Sequence, residues 1–304
     1  MKQQTIFCQI QGGLGLNISF ARFIARLDKR KYRIAVLSPY WDIFKASQAA
    51  GYCWQYYTEQ EGREFLDDCE YNDGKLVLGR IYDLQGFVEK KLNYQEAWAQ
   101  FLGIPSADVG EMPEEFLAPV KAFPSIADDV KRVLDEVGDD FALMQFQGGQ
   151  SPLDYDPSVP FDVESEPLKR AYPYGQELVD EYLREYPGRK VIQYALENEQ
   201  QIEGAVRYNL PYLTYYELAK YAKEFIAIDS SLQHLITGLC PGTVIWGHTL
   251  PSNFGYIQNR NIVQRCNREN IRYFTLCGAA ANKIQYALPR DIISPSPRKL
   301  REES

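Results

Sequence analysis

The chain has 304 residues, 45% of them hydrophobic and 24% charged; this exceeds the usual size of one hydrophobic core and predicts two domains of ordinary globular composition. No stretch reaches the ~18 uninterrupted apolar residues of a membrane helix, and a formal net charge of -8 disfavours a protein whose main task is to grip a nucleic-acid backbone. Cys8, Cys53, Cys69, Cys240, Cys266 and Cys277 show neither a CxxC pair nor neighbouring histidines, which argues against a zinc site or a disulfide framework and predicts buried free thiols.

Met1 to Thr5 run straight into an apolar stretch without the features of a signal peptide, so the expected location is cytoplasmic, with no stable membrane insertion. A strand is predicted over Thr5–Ile10, followed by the turn Gln11-Gly12-Gly13-Leu14-Gly15-Leu16-Asn17. A helix then carries Phe20, Phe23, Ile24 and Leu27 at the 3.6 period. Lys29-Arg30-Lys31 falls where that helix should end, a position that favours cations. Strands over Tyr32–Leu37 and Lys75–Gly79 follow, then helical segments around Tyr94, Trp98 and Phe101 and from Ser125 onward.

A second strand and glycine turn, Phe141–Phe146 and Gln147-Gly148-Gly149-Gln150, open the other half. The stretch from Gly149 to Pro173, with four prolines before its last and the acids Asp154, Asp156, Asp162, Glu164 and Glu166, is read as either a lid or a disordered segment. Strands at Lys190–Ala195, Phe225–Ile228 and Thr243–Trp246 alternate with helical patterns. The fold class is therefore α/β, with parallel sheets covered on both faces. The expected organisation is two Rossmann-like domains, residues 1–137 and 138–283, with a C-terminal segment 284–304 frayed from Ser294.

The most informative stretch is 225–256. It reads as strand, cap, helix, stop and strand: Asp229, Ser230 and Ser231 suit a helix start, Leu232, Leu235, Ile236 and Leu239 share a face, and Pro241-Gly242 ends the helix. A helix that begins at the carboxyl end of a parallel strand offers backbone N–H groups to an anion such as a diphosphate. Simple helix capping accounts for the same residues. The chain's two histidines, His234 and His248, both fall in this unit, which converges polar chemistry on one cleft edge.

Asp229-Ser230-Ser231-Leu232-Gln233-His234-Leu235, followed by Val244-Ile245-Trp246-Gly247-His248-Thr249-Leu250-Pro251-Ser252-Asn253-Phe254-Gly255-Tyr256, resembles the donor-binding signature of the ADP-heptose:lipopolysaccharide heptosyltransferases. Ser231 stands where that family usually has glycine. Leu168-Lys169-Arg170-Ala171-Tyr172-Pro173 is similar to the family's Lys-Arg-Trp-Pro element, and Leu213–Leu218 to its helix leading into the Asp229 strand. The likeness covers most of residues 141 to 260; the front half matches mainly through Gly12-Gly13-Leu14-Gly15.

The resemblance implies GT-B architecture and a nucleotide-diphosphate sugar as donor substrate, with no cofactor or metal. Its donor-binding residues are Lys169, Arg170, Glu197 or the neighbouring Glu199, Asp229, Ser230, Ser231, Leu232, His234 and His248. Gly12, Gly13, Gly15, Asn17, Gly148 and Gly149 line the cleft. The acceptor is open among glycan, lipid-linked glycan, protein and modified nucleic acid.

The family's glycine loop usually supplies an aspartate as acceptor base, whereas this chain has Asn17, whose amide has no titratable carboxylate. Asp42 and Asp83, each just past a strand, are the substitutes weighed, although either is more often a surface acid. The glycine spacing does not fit a dinucleotide fingerprint, and Asp154-Tyr155-Asp156 matches a metal-binding Asp-x-Asp only superficially. A catalytically silent binding protein is one alternative; an epimerase or hydrolase acting on the nucleotide sugar is the other.

Overall fold

The computed structural model describes residues 3–79, 81, 84, 92–148, 170–172, 174–195, 199, 201–246, 251–263 and 287–293. Strands β1 (Gln4–Ile10), β2 (Tyr32–Leu37), β3 (Gln55–Tyr57) and β4 (Lys75–Gly79) form a parallel sheet in the order β3-β2-β1-β4. Helices α1 (Leu14–Ile24), α2 (Trp41–Ala49) and α3 (Gly62–Tyr71) connect these strands. They are followed by α4 (Tyr94–Leu102), α5 (Pro119–Ala122) and α6 (Ser125–Val137).

The second half begins with β5 (Phe141–Gln145). A short antiparallel pair, β6 (Gln147–Gly148) and β7 (Arg170–Ala171), lies beyond its carboxyl end. Then come α7 (Gly175–Glu185), β8 (Lys190–Gln193), β9 (Ala205–Arg207), α8 (Tyr212–Leu218), β10 (Glu224–Ile228), α9 (Ser231–Ile236), β11 (Gly242–Trp246), α10 (Pro251–Phe254), β12 (Arg260–Val263) and α11 (Pro289–Ile293). The six longer strands form one parallel sheet in the order β12-β11-β10-β5-β8-β9. Numbered within this half, from the β9 edge, that is 3-2-1-4-5-6. This order reverses direction between β5 and β10, where α/β sheets bind their ligands.

The apolar runs build these layers because strands covered on both faces have no solvent side to alternate toward. Phe141, Leu143 and Phe225 face the larger core together with Ile6, Cys8 and Val36 of the first sheet, so one contiguous cluster spans both halves. Ala142, Met144, Ile226 and Ile228 face a second cluster behind the sheet, which α7 and α11 complete through Leu178, Tyr182, Ile292 and Ile293. Cys8, Cys53 and Cys69 are buried free thiols and Cys240 is half-buried; Cys266 and Cys277 lie outside the described residues. Among the described residues no helix is long and apolar enough to cross a membrane.

Two expectations about helix ends are corrected. α1 stops at Ile24, well before Lys29, so Lys29-Arg30-Lys31 does not serve its dipole. Arg30 pairs instead with Asp28 at 3.0 Å, Lys31 with Asp108, and Lys29 sits 3.8 Å above the Tyr52 ring. α9 stops at Ile236 rather than running on to Leu239. The buried Arg22 guanidinium donates to the carbonyls of His234 (3.2 Å) and Thr237 (3.0 Å), taking acceptors that a longer helix would use internally.

Candidate functional site

The glycine turn leaves Gln11, Gly12 and Gly13 exposed at the carboxyl end of β1, and α1 starts at Leu14. Asn17 does not line the opening: it is fully buried and fastens the turn. Its amide donates to the carbonyls of Gly12 (3.2 Å) and Gly13 (3.1 Å), while its oxygen accepts from the Ser38 hydroxyl at 2.7 Å, just past β2. At Gly15 the two halves meet. A Cβ there would lie 3.0 Å from Cδ2 of His234 and 3.7 Å from the Ser231 Cα, so any larger residue would crowd the His234 ring where α1 meets α9.

Around α9 the residues singled out from sequence divide into an interior set and a rim. Asp229 is 3% exposed and accepts from the Gln233 side-chain amide at 2.7 Å; Leu232 is fully buried. His234, also 3% exposed, places Nδ1 2.9 Å from the Tyr256 hydroxyl and packs its ring edge-on to Tyr94. Arg22 lies between the Phe116 and Tyr256 rings, 4.9 and 4.5 Å from their centroids. These groups knit the two halves together.

Ser230 and Ser231 form the rim. Ser230 is the N-cap residue, yet its hydroxyl makes no capping bond; it accepts instead from the side-chain amide of Gln145 at 3.2 Å. Gly148 lies over it, with an added Cβ 2.4 Å from the Ser230 Oγ. The Tyr194 hydroxyl, at the end of β8, is 3.5 Å from the Ser231 Oγ, and burial pushes its pKa up to about 12.

Asp42 opens α2 just past the carboxyl end of β2 and accepts from the Ile43 N–H at 3.1 Å. Burial raises its carboxyl above the usual carboxylate range, opposed by the nearby Tyr212 hydroxyl. Tyr212 is the first residue of α8, so this contact also crosses between the halves. Burial and the neighbouring Asp42, Tyr194 and Tyr40 in turn hold the Tyr212 phenol well above its ordinary pKa. The carboxyl ends of β1 and β2 thus lie against the second half, with Asp42 beside Tyr212 and Gly15 beside His234 and Ser231.

Asp83, Gly149, Lys169, Glu197 and His248 lie outside the described residues. The Arg170 backbone pairs with Gly148 in β7, and Glu199 lies near enough to Tyr194 to act on its phenol. Among the described residues no group of three His, Cys, Asp or Glu could hold a metal ion. Sequence reasoning missed Arg22, Gln145, Tyr194 and Tyr212. Arg22 and Gln145 did leave a trace, as polar residues at positions that otherwise read as apolar core.

No family sequence model and no curated protein matches the sequence. Among solved structures, a family 9 glycosyl transferase from Veillonella parvula aligns with a TM-score of 0.56 at 12% identity, covering 86% of this chain and 85% of that one. The chain has the GT-B fold. Two further GT-B structures align similarly. E. coli ADP-heptose lipopolysaccharide heptosyltransferase II gives a TM-score of 0.51 at 13% identity over 87% of this chain and 91% of that one. The iron-containing dodecameric glycosyltransferase TibC of enterotoxigenic E. coli gives 0.55 at 13% over 99% and 72%. At these identities the likeness resides in the GT-B fold.

Proposed function

We propose that the chain is a glycosyltransferase that moves a sugar from a nucleotide-diphosphate sugar to an acceptor hydroxyl. The observation that carries this reading is the GT-B fold, with the glycine turn at the carboxyl end of β1 set against α9 at the carboxyl end of β10. TibC has been solved with ADP-D-β-D-heptose, which supports a sugar nucleotide as the ligand class. The second half, with Ser230, Ser231 and the Leu232 amide, takes the donor; Lys169 and Arg170 anchor its diphosphate, with Glu197 and His248 beside the nucleotide. The acceptor enters along the glycine turn.

The reaction is a single displacement with inversion. Asp42 takes the proton of the acceptor hydroxyl as its oxygen bonds to the anomeric carbon, and the bond to the diphosphate breaks with its electron pair leaving on phosphate oxygen. Asp83 is the other carboxylate weighed for this role. Asp42 is favoured because its burial raises its pKa, which makes it a stronger base than an exposed acid. We assign no metal to the step. A second reading, binding without turnover, draws on the buried Asn17, which leaves the glycine turn without a carboxylate.

One experiment separates these readings. Thermal shift is measured with ADP-, UDP-, GDP- and TDP-sugars, with and without EDTA, and diphosphate release is followed with and without candidate acceptors. A nucleotide-specific rise that EDTA leaves intact, with release that requires an acceptor, is the expected result. Binding without any change in the donor makes the chain a binding protein; nucleoside-diphosphate release without acceptor makes it a hydrolase, and conversion of the donor without release makes it an epimerase. No shift with any donor refutes the proposal.

A further inference from the structure

Gln145 ends β5, the central strand from which the strand order reverses, and is 3% exposed. Period-two alternation puts it on the face of Phe141 and Leu143, where an apolar side chain would complete the core. Its Nε2 donates to the Ser230 Oγ at 3.2 Å, while its Oε1 is buried and has no partner among the described residues. One end of this buried amide is thus unfilled among the described residues, and buried polar groups are rarely left so.

The surroundings point to a ligand. Ser230, immediately past β10, is half-exposed, and Gly148 leaves it room by having no Cβ. The Ser231 and Tyr194 hydroxyls, 3.5 Å apart, continue the row toward β8. Gln145, Ser230, Ser231 and Tyr194 are all neutral and hydrogen-bonding, and they stand where α/β sheets bind ligands, at the reversal between β5 and β10. Neutral amide and hydroxyl groups suit a partner that both donates and accepts, such as a sugar hydroxyl, better than a diphosphate.

We propose that Gln145 is a specificity-determining residue that hydrogen-bonds a hydroxyl of the donor, on either its ribose or its transferred sugar. This inference rests on the glycosyltransferase reading above. The bond fills the open end of the amide and leaves the Ser230 contact in place. A nucleotide sugar therefore gains an interaction at Gln145 that an apolar residue of the same shape withholds.

The test compares wild type with Gln145→Met, which keeps the volume and removes both polar ends, and Ser230→Ala. Affinities for the nucleotide sugar that binds wild type, for the matching nucleoside diphosphate and for its 2′-deoxy form are measured by calorimetry, alongside Tm. Gln145→Met should weaken nucleotide-sugar binding about tenfold, in keeping with one lost hydrogen bond to a buried partner. Its Tm should stay the same or rise, since an unfilled polar atom is removed. If the loss appears equally with the nucleoside diphosphate and vanishes with the 2′-deoxy form, the contact is to ribose. If it appears only with the nucleotide sugar, the contact is to the transferred sugar.

Unchanged affinity in Gln145→Met overturns the inference and leaves the glycosyltransferase reading standing. A Tm lowered by several degrees, with Ser230→Ala lowered alike, also overturns it, by showing that the amide serves the fold. Failure of wild type to bind any nucleotide or nucleotide sugar sinks the underlying reading and this inference with it.

Discussion

Asp42 illustrates how one side chain serves reaction and stability in opposite directions. Burial raises its pKa, so the ionised form is disfavoured in the folded chain. The stability it contributes is fully present below about pH 4, the unfolded carboxylate value, and is lost as pH rises through the raised pKa. Asp42→Asn should therefore raise Tm at pH 7 and leave it unchanged near pH 4, as measured by differential scanning fluorimetry across pH. Under the proposed reaction the same variant should lower kcat about 10²–10⁴-fold. In wild type, kcat/KM should fall on the acid side at a pH above the ordinary carboxylate range. A variant that gains no stability at neutral pH would contradict the burial argument, and one with full activity would move the base elsewhere. Gly15 is governed by space alone: at 3.0 Å from the His234 ring, the Cβ of Gly15→Ala must displace that ring, which Tyr94 and Tyr256 hold in place, at a cost of about 1–3 kcal/mol in urea unfolding.

The junction of α1 with α9 shows what a helix pair does across a cleft. Arg22 reaches out of α1 to hold the last carbonyls of α9 while two aromatic rings cover it. Arg22→Met keeps the stem and leaves the carbonyls of His234 and Thr237 without this donor, which should destabilise by about 2–4 kcal/mol and speed amide exchange in α9 ahead of β10. Equal protection of α9 in both proteins would show that the helix does not depend on the guanidinium. The pairing was not legible in the sequence, because the partners are more than two hundred residues apart; Arg22 by itself left only the trace of a polar residue in an apolar helix. The elements themselves were legible where apolar runs were long: β1, β2, β4, β5, β8, β10 and β11 lie where the sequence predicts strands. The edge strands β3, β9 and β12 escaped, since Gln55-Tyr56-Tyr57, Ala205-Val206-Arg207 and Arg260-Asn261-Ile262-Val263 are short and half polar. The rim of the site was half legible. Ser230 and Ser231 stood out as helix-start residues, whereas Gln145 acquires meaning only from the serine that the fold brings to it.

At the scale of the molecule, the two sheets carry separate strand orders yet share one buried cluster. It includes Ile6, Cys8 and Val36 of the first sheet and Leu143, Phe225 and Val244 of the second. Domains with private cores melt separately; halves that share a core lose it together. Calorimetry should accordingly give a single unfolding transition whose van't Hoff and calorimetric enthalpies agree, and two resolved peaks would show that the halves part first. The Tyr216 hydroxyl, which accepts from the Phe116 and Leu117 amides, adds to the same coupling.

The buried thiols turn that coupling into something that can be timed. Cys8 and Cys53 lie in the first half and Cys240 in the second, all within or against the shared cluster, and burial pushes each thiol well above its usual pKa. A thiol held in that form reacts slowly with an alkylating reagent until its surroundings open, most of all at the buried Cys8 and Cys53. Each cysteine is thus a stopwatch set into the part of the chain that holds it. Mass spectrometry after pulse alkylation should read the same elapsed time on all three, for a protein whose halves can only come undone as one.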